Sequence, residues 1–247
     1  MTHQQLFPGC FIEIGCHGAY RHSFGGAHST VGALCPNCDR PLMLYLTIDM
    51  RDRLLVFPSG RPELRTIQLF YCMRCALAWH DFAYQLISDG TVEIVEAHRG
   101  PRTWDDWGEA VGCDVFPVRP VSLTPIPARL QELWDRLNGL ELGETLSIGE
   151  AEEVIALTQG HAFPPLPGMA KYSFVNQIGG RALLCQGIDD PPCPRCGGGP
   201  FGSRQMLFLA CLYNDAENRL RIASVECTQI IFFLCPECFT VLVLSRL

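Results

Sequence analysis

Eight cysteines of this chain fall in four Cys-x-x-Cys pairs: Cys35/Cys38, Cys72/Cys75, Cys193/Cys196 and Cys235/Cys238. A pair at this spacing on a tight turn supplies two thiolate ligands from one loop, and two such knuckles complete the four-sulfur tetrahedron that structural zinc prefers. Pro36 and Asn37 in the first knuckle, and Pro194, Arg195 and Gly197 around the third, are turn residues. Redox-active Cys-x-x-Cys pairs occur singly beside a βαβ pattern, so four pairs point to metal. The expectation is two structural zinc ions, each held by two pairs. With all four positions filled by cysteine, no coordination site is left for a catalytic water. Metal binding of this kind contributes on the order of 10–16 kcal/mol in small modules, so zinc has a folding role here. An arrangement with one zinc shared between the copies described next is the alternative pairing.

The pairs belong to an internal repeat. An offset of 163 places Cys72 on Cys235 and Cys75 on Cys238. It also places Met43-Leu44-Tyr45-Leu46 on Met206-Leu207-Phe208-Leu209, Asp52 on Asp215, and Ile67-Gln68-Leu69-Phe70-Tyr71 on Ile230-Ile231-Phe232-Phe233-Leu234. The first pair of each copy is offset by 158, and five extra residues near Gly197-Gly198-Gly199 account for the difference. Upstream, Phe24-Gly25-Gly26 resembles Ile178-Gly179-Gly180. Such self-similarity is read before any single element.

Both copies predict strands: 42–48, 54–57, 66–72, 82–87 and 91–95 in the first, and 205–213, 222–228, 229–234 and 240–244 in the second. These runs are rich in β-branched and aromatic residues and bounded by Gly, Pro, Asp or Asn. The gaps between knuckles, from Cys38 to Cys72 and from Cys196 to Cys235, exceed the ~15–20 residues of an ordinary zinc ribbon, which predicts an extra hairpin in each copy. Between the copies, 101–127 is a Pro-, Trp- and Asp-rich connection. Leu130, Leu133, Trp134 and Leu137 at helical spacing predict a helix over 128–138. Ser147-Ile148-Gly149-Glu150 is a capping box opening a second short helix through 157, and Pro164-Pro165-Leu166-Pro167-Gly168 predicts a turn. The fold class is thus α+β, mostly β: two pseudo-repeated zinc-ribbon-like β units with a small helical insert. The predicted divisions are 1–98, 99–170 and 171–247.

Hydrophobic residues make up 48% and charged residues 18% of 247, ample for a globular core. No apolar run is long enough to span a bilayer, and Met1-Thr2-His3-Gln4-Gln5 carries no basic stretch leading into an apolar one. A cytoplasmic protein is expected, where close cysteines stay reduced and bind metal. The six other cysteines, Cys10, Cys16, Cys113, Cys185, Cys211 and Cys227, are expected to be small buried side chains. The net charge of −7 lies wholly in residues 101–160, which hold eleven acids and four arginines.

Other constellations are weaker. Cys10, Cys16, His17, His22 and His28 could form a third metal site or a Cys–His nucleophile, but no third, orienting group is evident. Trp104-Asp105-Asp106-Trp107 with Glu109 has carboxylates with nothing converging on them, and Asp189-Asp190 and His80-Asp81 read as turn and strand-edge residues. Arg51, Arg53, Arg61 and Arg65 are the densest basic group, interleaved with Asp49, Asp52 and Glu63. With a pI near 5.5 this argues against nucleic-acid binding.

The Gly-Gly element, a Cys-Pro-x-Cys knuckle, a strand like Met43-Leu44-Tyr45-Leu46-Thr47-Ile48-Asp49 and a strand ending in Cys-x-x-Cys resemble the bacterial YwqG-like family of unknown function. They also resemble the N-terminal domain of the eukaryotic programmed cell death protein 2 family, in which a stretch like Asn176-Gln177-Ile178-Gly179-Gly180 precedes the knuckles. The likeness covers roughly residues 24–95 and 172–244. It implies a non-enzymatic role. The eukaryotic relatives chaperone a ribosomal protein, and some bacterial relatives look like immunity proteins beside toxin genes; both clients are basic. The expected function is a zinc-stabilised protein-binding module of adaptor, chaperone or toxin-immunity type. It would capture a basic partner, a toxin or ribosomal protein, through Glu141, Glu144, Glu150, Glu152 and Glu153. The alternatives are an enzyme using the N-terminal Cys/His cluster or the acidic loop, and a nucleic-acid-binding zinc ribbon.

Overall fold

The computed structural model describes residues 7–57, 61, 63–72, 81–97, 115–138, 146–158, 161, 175–181, 191–197, 205–213 and 229–246. The strands, in chain order, are β1 (Cys10–Ile14), β2 (Ser23–Phe24), β3 (Met43–Asp49), β4 (Thr66–Tyr71), β5 (Phe82–Ser88), β6 (Thr91–Ala97), β7 (Arg119–Pro125), β8 (Gln177–Ile178), β9 (Leu207–Tyr213), β10 (Gln229–Leu234) and β11 (Thr240–Arg246). Helices α1 (Ala128–Asn138) and α2 (Ile148–Leu157) lie between β7 and β8. No helix among the described residues is long and apolar enough to cross a membrane.

All strands join one antiparallel sheet in the order β4-β3-β2-β7-β1-β8-β9-β10-β11-β5-β6. The two cysteine-bearing stretches therefore contribute to a single sheet and not to two. Reading outward from the central β7–β1 pair, β2, β3 and β4 on one side match β8, β9 and β10 on the other. β4 and β10 lie at the sequence offset of 163. The centre has its own repeat: Phe7-Pro8 precedes β1 as Phe116-Pro117 precedes β7, an offset of 109. Glu13 pairs with Ser122, its own counterpart at that offset, as a local two-fold axis requires. The Ser122 hydroxyl donates to Glu13 at 2.7 Å on that axis.

The glycine pairs explain how the outer strands attach. Gly25 (φ +70°) and Gly179 (φ +65°) sit in the left-handed region, which costs a residue with a Cβ about 1–2 kcal/mol. The Gly25 amide donates to Tyr45 O (3.0 Å) and Gly26 to Phe116 O (2.9 Å); the Gly179 amide donates to Leu209 O (2.7 Å) and Gly180 to Phe7 O (2.8 Å). A Cβ on Gly25 would lie 2.7 Å from Phe116 and Pro117, and one on Gly179 would meet the Phe7 ring. Each Gly-Gly thus needs the Phe-Pro segment of the strand beside it.

The sheet curls until its ends meet. The buried Tyr84 hydroxyl on β5 donates to Gln68 O (2.9 Å) and accepts from Phe70 N (3.0 Å) on β4. Asp89, after β5, accepts from the amides of Arg65 (2.7 Å) and Thr66 (2.9 Å). Burial pushes the Tyr84 phenol upward, so it stays a neutral donor. The core fills the inside of the curl, with Phe24, Tyr45, Tyr71, Phe232 and Phe239 fully buried. On the other face α1 inserts Leu130, Leu133 and Trp134 against Phe11, Val175 and Tyr213.

Most predicted strands appear within one or two residues, and both helices and the capping box at Ser147/Glu150 appear as expected. Three differences matter. Residues 54–57 form no strand but part of the β3–β4 connection, where Leu55 N donates to Asp52 O (3.0 Å). The connection 101–127 supplies β7, whose prolines, Pro120 and Pro125, obscure it in sequence. β5 pairs with β11 and not with β4 of its own copy. The predicted strand 222–228 and the turn at 164–168 lie outside the described residues. Tyr84→Phe would take the hydroxyl partner from a buried amide and a half-buried carbonyl, so a loss of about 1–3 kcal/mol is expected in urea unfolding.

Candidate metal centres

Cys193, Cys196, Cys235 and Cys238 converge beneath β10 and β11, their sulfurs all within 4.8 Å of one another. Cys196–Cys235, Cys193–Cys238 and Cys196–Cys238 are 3.4, 3.6 and 3.7 Å apart. Four sulfurs ~2.3 Å from a central ion would be separated by about 3.8 Å. A disulfide needs ~2.05 Å, and these cysteines are free. The group therefore fits a four-thiolate metal and not cross-linked sulfurs. Both of its pairs come from the second copy, so sharing of this centre between copies is not what the geometry offers.

The chain folds the ligands into place by main-chain turns. Phe239 N donates to Cys235 O (3.0 Å), Cys235 N to Thr240 O (2.9 Å) and Gly197 N to Cys193 O (2.8 Å). Phe239 takes a positive φ of 56° in this turn, and its ring is fully buried. The Thr240 hydroxyl lies 3.1 Å from Cys238 Sγ. Burial and the neighbouring thiols push Cys196 upward, and burial does the same to Cys235. At Cys238 burial is the largest influence, yet the hydrogen bonds from Thr240 and from the neighbouring thiols of Cys235 and Cys193 together outweigh it and lower the thiol. Four packed sulfurs become acceptable as thiolates only with a cation among them.

In the first copy Cys35, Cys38 and Cys72 form a similar group, with Cys38 and Cys72 sulfurs 3.8 Å apart. Its knuckle repeats the second copy's turn: Asp39 N donates to Cys35 O (2.9 Å), Cys35 N to Arg40 O (2.7 Å), and Asp39 has φ +58°. Cys75, the expected fourth ligand, lies outside the described residues. Both groups could hold a metal ion.

The second centre is tied to the first copy. Cys238 O accepts from Gln85 Nε2 (2.7 Å) and the Arg61 guanidinium (3.4 Å), and Phe239 O accepts from Leu86 N (3.0 Å). Arg195 of the third knuckle reaches Glu93 on β6 at 3.3 Å. Sequence reasoning misses Gln85, Arg61 and Thr240. Thr240 stands two residues after Cys238, so its approach to that sulfur is set locally. Gln85 is placed by the β5–β11 pairing and Arg61 reaches in from the β3–β4 connection.

The N-terminal cysteines and histidines are not gathered into a metal group among the described residues. Cys10 is buried on β1, and burial, with the Asp52 charge adding, pushes its thiol up to about 11. Cys16 is exposed, against expectation, because the chain leaves the sheet at Gly15 (φ +95°). Cys211 is buried as expected, while Cys113, Cys185 and Cys227 lie outside the described residues. His22 is a buried brace: its Nδ1 accepts from Asp49 N (3.0 Å), so Nε2 carries the proton toward Asp52 (2.8 Å). His28 likewise bridges Thr30 N and Leu42 O. Asp49 accepts from the Arg51 guanidinium (2.6 and 2.9 Å) and from the amides of Arg51 and Arg21. These bonds, Arg51 foremost, hold its carboxyl well below the usual carboxylate range.

Among the expected partner-binding glutamates, Glu150 is occupied by the Ser147 cap and by Arg136, and Glu153 by Arg129 (3.0 Å). They fasten α2 to α1. Glu152 is exposed. Glu141, Glu144 and the 104–109 acidic segment lie outside the described residues. No protein-family model, curated protein or solved structure matches this chain.

Two outcomes are expected. Cys235→Ser or Cys196→Ser lowers the metal content measured by elemental analysis by about one ion per chain, and with it stability, because a folding contribution is lost. A depressed carboxyl stabilises above its unfolded value and loses that contribution as pH falls through its folded value. The stability advantage of the natural protein over Asp49→Asn should therefore hold at neutral pH and shrink below about pH 4 in unfolding titrations.

Proposed function

We propose that this chain is a non-enzymatic, zinc-stabilised protein-binding module that captures a basic protein partner, in the manner of an adaptor, chaperone or toxin-immunity protein. The observation that carries the reading is the outer face of α2. Ile148 and Ile155 are 82% and 53% exposed, and Glu152 stands exposed between them. Spacing of i, i+4 and i+7 sets the three along one helical stripe. Apolar groups rimmed by acid suit a partner carrying apolar and basic side chains, and the negative surplus of 101–160 would speed its approach.

Zinc is the metal that four thiolates without an open position favour in such a scaffold, the other tetrahedral-sulfur choice being iron. The ion would then do no chemistry beyond holding the fold. An enzymatic role for the N-terminal cluster finds little support. Cys10 is buried with its thiol raised, and both ring nitrogens of His22 are engaged. Nucleic-acid binding is disfavoured by the pairing of Arg51 with Asp49 and of Arg61 with Glu63.

The test is recovery of a stoichiometric partner from the native host by affinity capture, with mass spectrometry to identify it. A basic protein is expected. The triple variant Ile148→Asp, Glu152→Arg, Ile155→Asp should reduce its recovery by about tenfold or more, as loss of a docking stripe would. Cys16→Ala and His17→Ala should change nothing. A partner that is acidic, or whose recovery ignores the stripe, would overturn the proposal.

A further inference from the structure

The connection between β3 and β4 folds in on itself. Met50 N donates to Arg65 O (2.9 Å), Leu55 N to Asp52 O (3.0 Å) and Leu64 N to Arg61 O (3.0 Å). Leu55 and Leu64 are buried, and Phe57 meets Phe7 edge-on at 5.0 Å. Beside them opens a cleft of about 670 Å³ walled by five apolar residues of this connection and by two arginines, Arg51 and Arg65. Its volume lies within the ~300–1,000 Å³ of small-molecule sites.

The wall is chemically divided. Val56 leaves 70% of its surface to solvent, beside Leu55 and Phe57. Asp49 grips Arg51 through Nε (2.9 Å) and one terminal nitrogen (2.6 Å), so the guanidinium is fixed in direction and its other terminal nitrogen remains to donate. Asp89 holds the Arg65 main chain (2.7 Å), while the Arg65 guanidinium has no acidic partner among the described residues. No acid lines the cleft among the described residues. One fixed and one uncompensated guanidinium next to an apolar surface complement a carboxylate carried on an apolar body.

We propose that this cleft binds such a carboxylate, its head on Arg51 and Arg65 and its body along Leu55, Val56 and Phe57. The site is independent of the α2 stripe. The same chemistry is offered by a free medium-chain acid and by the C-terminus of a peptide ending in apolar residues.

Isothermal titration calorimetry on the metal-loaded full chain tests this with sodium decanoate below its micelle concentration. Saturable one-site binding is expected. Butyrate, which lacks the body, and decyltrimethylammonium, which inverts the charge, should each bind about tenfold more weakly or worse. Arg65→Gln should weaken decanoate by a similar factor with unchanged circular dichroism, and Val56→Glu, at an exposed position, serves as the second variant. An acetylated Ala-Leu-Val peptide with a free carboxylate, compared with its amide, distinguishes the sources. Tighter binding than decanoate assigns a chain terminus; weaker binding assigns a free acid. Decanoate that fails to saturate, binds no better than decyltrimethylammonium, or binds both variants as well as the natural protein would overturn the proposal.

Discussion

The sheet depends on the turn at Cys235–Phe239. Its sulfurs pack with those of Cys193 and Cys196, and its carbonyls accept from Gln85, Arg61 and Leu86. The same few residues therefore shape the metal group and receive the strand that closes the curl. A four-thiolate site is unforgiving of geometry, since sulfurs this close repel when ionised and gain little when neutral. A cation that fixed them would also fix the β10–β11 hairpin, from which β5 and β6 take their position.

This dependence separates the two copies. The second copy packs its four-cysteine group against strands of its own. The first sends β5 across to the second, so its edge strand β4 is satisfied by a phenol and a carboxylate in place of a ladder. A sheet edge covered in this way is protected from pairing with another chain. The helical insert rests on the opposite face, where Gln131 accepts from Arg181 N (2.7 Å) and returns a bond to Arg181 O (3.2 Å). That clamps α1 against the second Gly-Gly and leaves α2 outermost.

Local features were readable from sequence because their causes are local. The helical spacing of Leu130, Leu133, Trp134 and Leu137, the Ser147 cap and the Cys-Pro-x-Cys turns each act within a few residues. The repeat at offset 163 likewise located β4 and β10. The partners of β1, β5 and β7 were not readable. β1 shows only five residues without clear alternation, and β7 carries two prolines. The places of β1 and β7 come from the Phe-Pro segments that fill the space left by Gly25 and Gly179, and that of β5 from its pairing with β11, matches seen only once the strands lie side by side. The same holds for the glutamates of α2, where composition counts charge but only geometry reveals that Arg129 and Arg136 neutralise two of them.

The crossing of β1 into the far half has a consequence for how the chain is made. β1 is synthesised well before its outer neighbour β8, which follows only after Asn176, and β5 must likewise await β11. Contacts so distant along the chain slow folding and leave strands unsatisfied meanwhile. The strands of the first copy therefore stay an unfinished sheet until those of the second have been made.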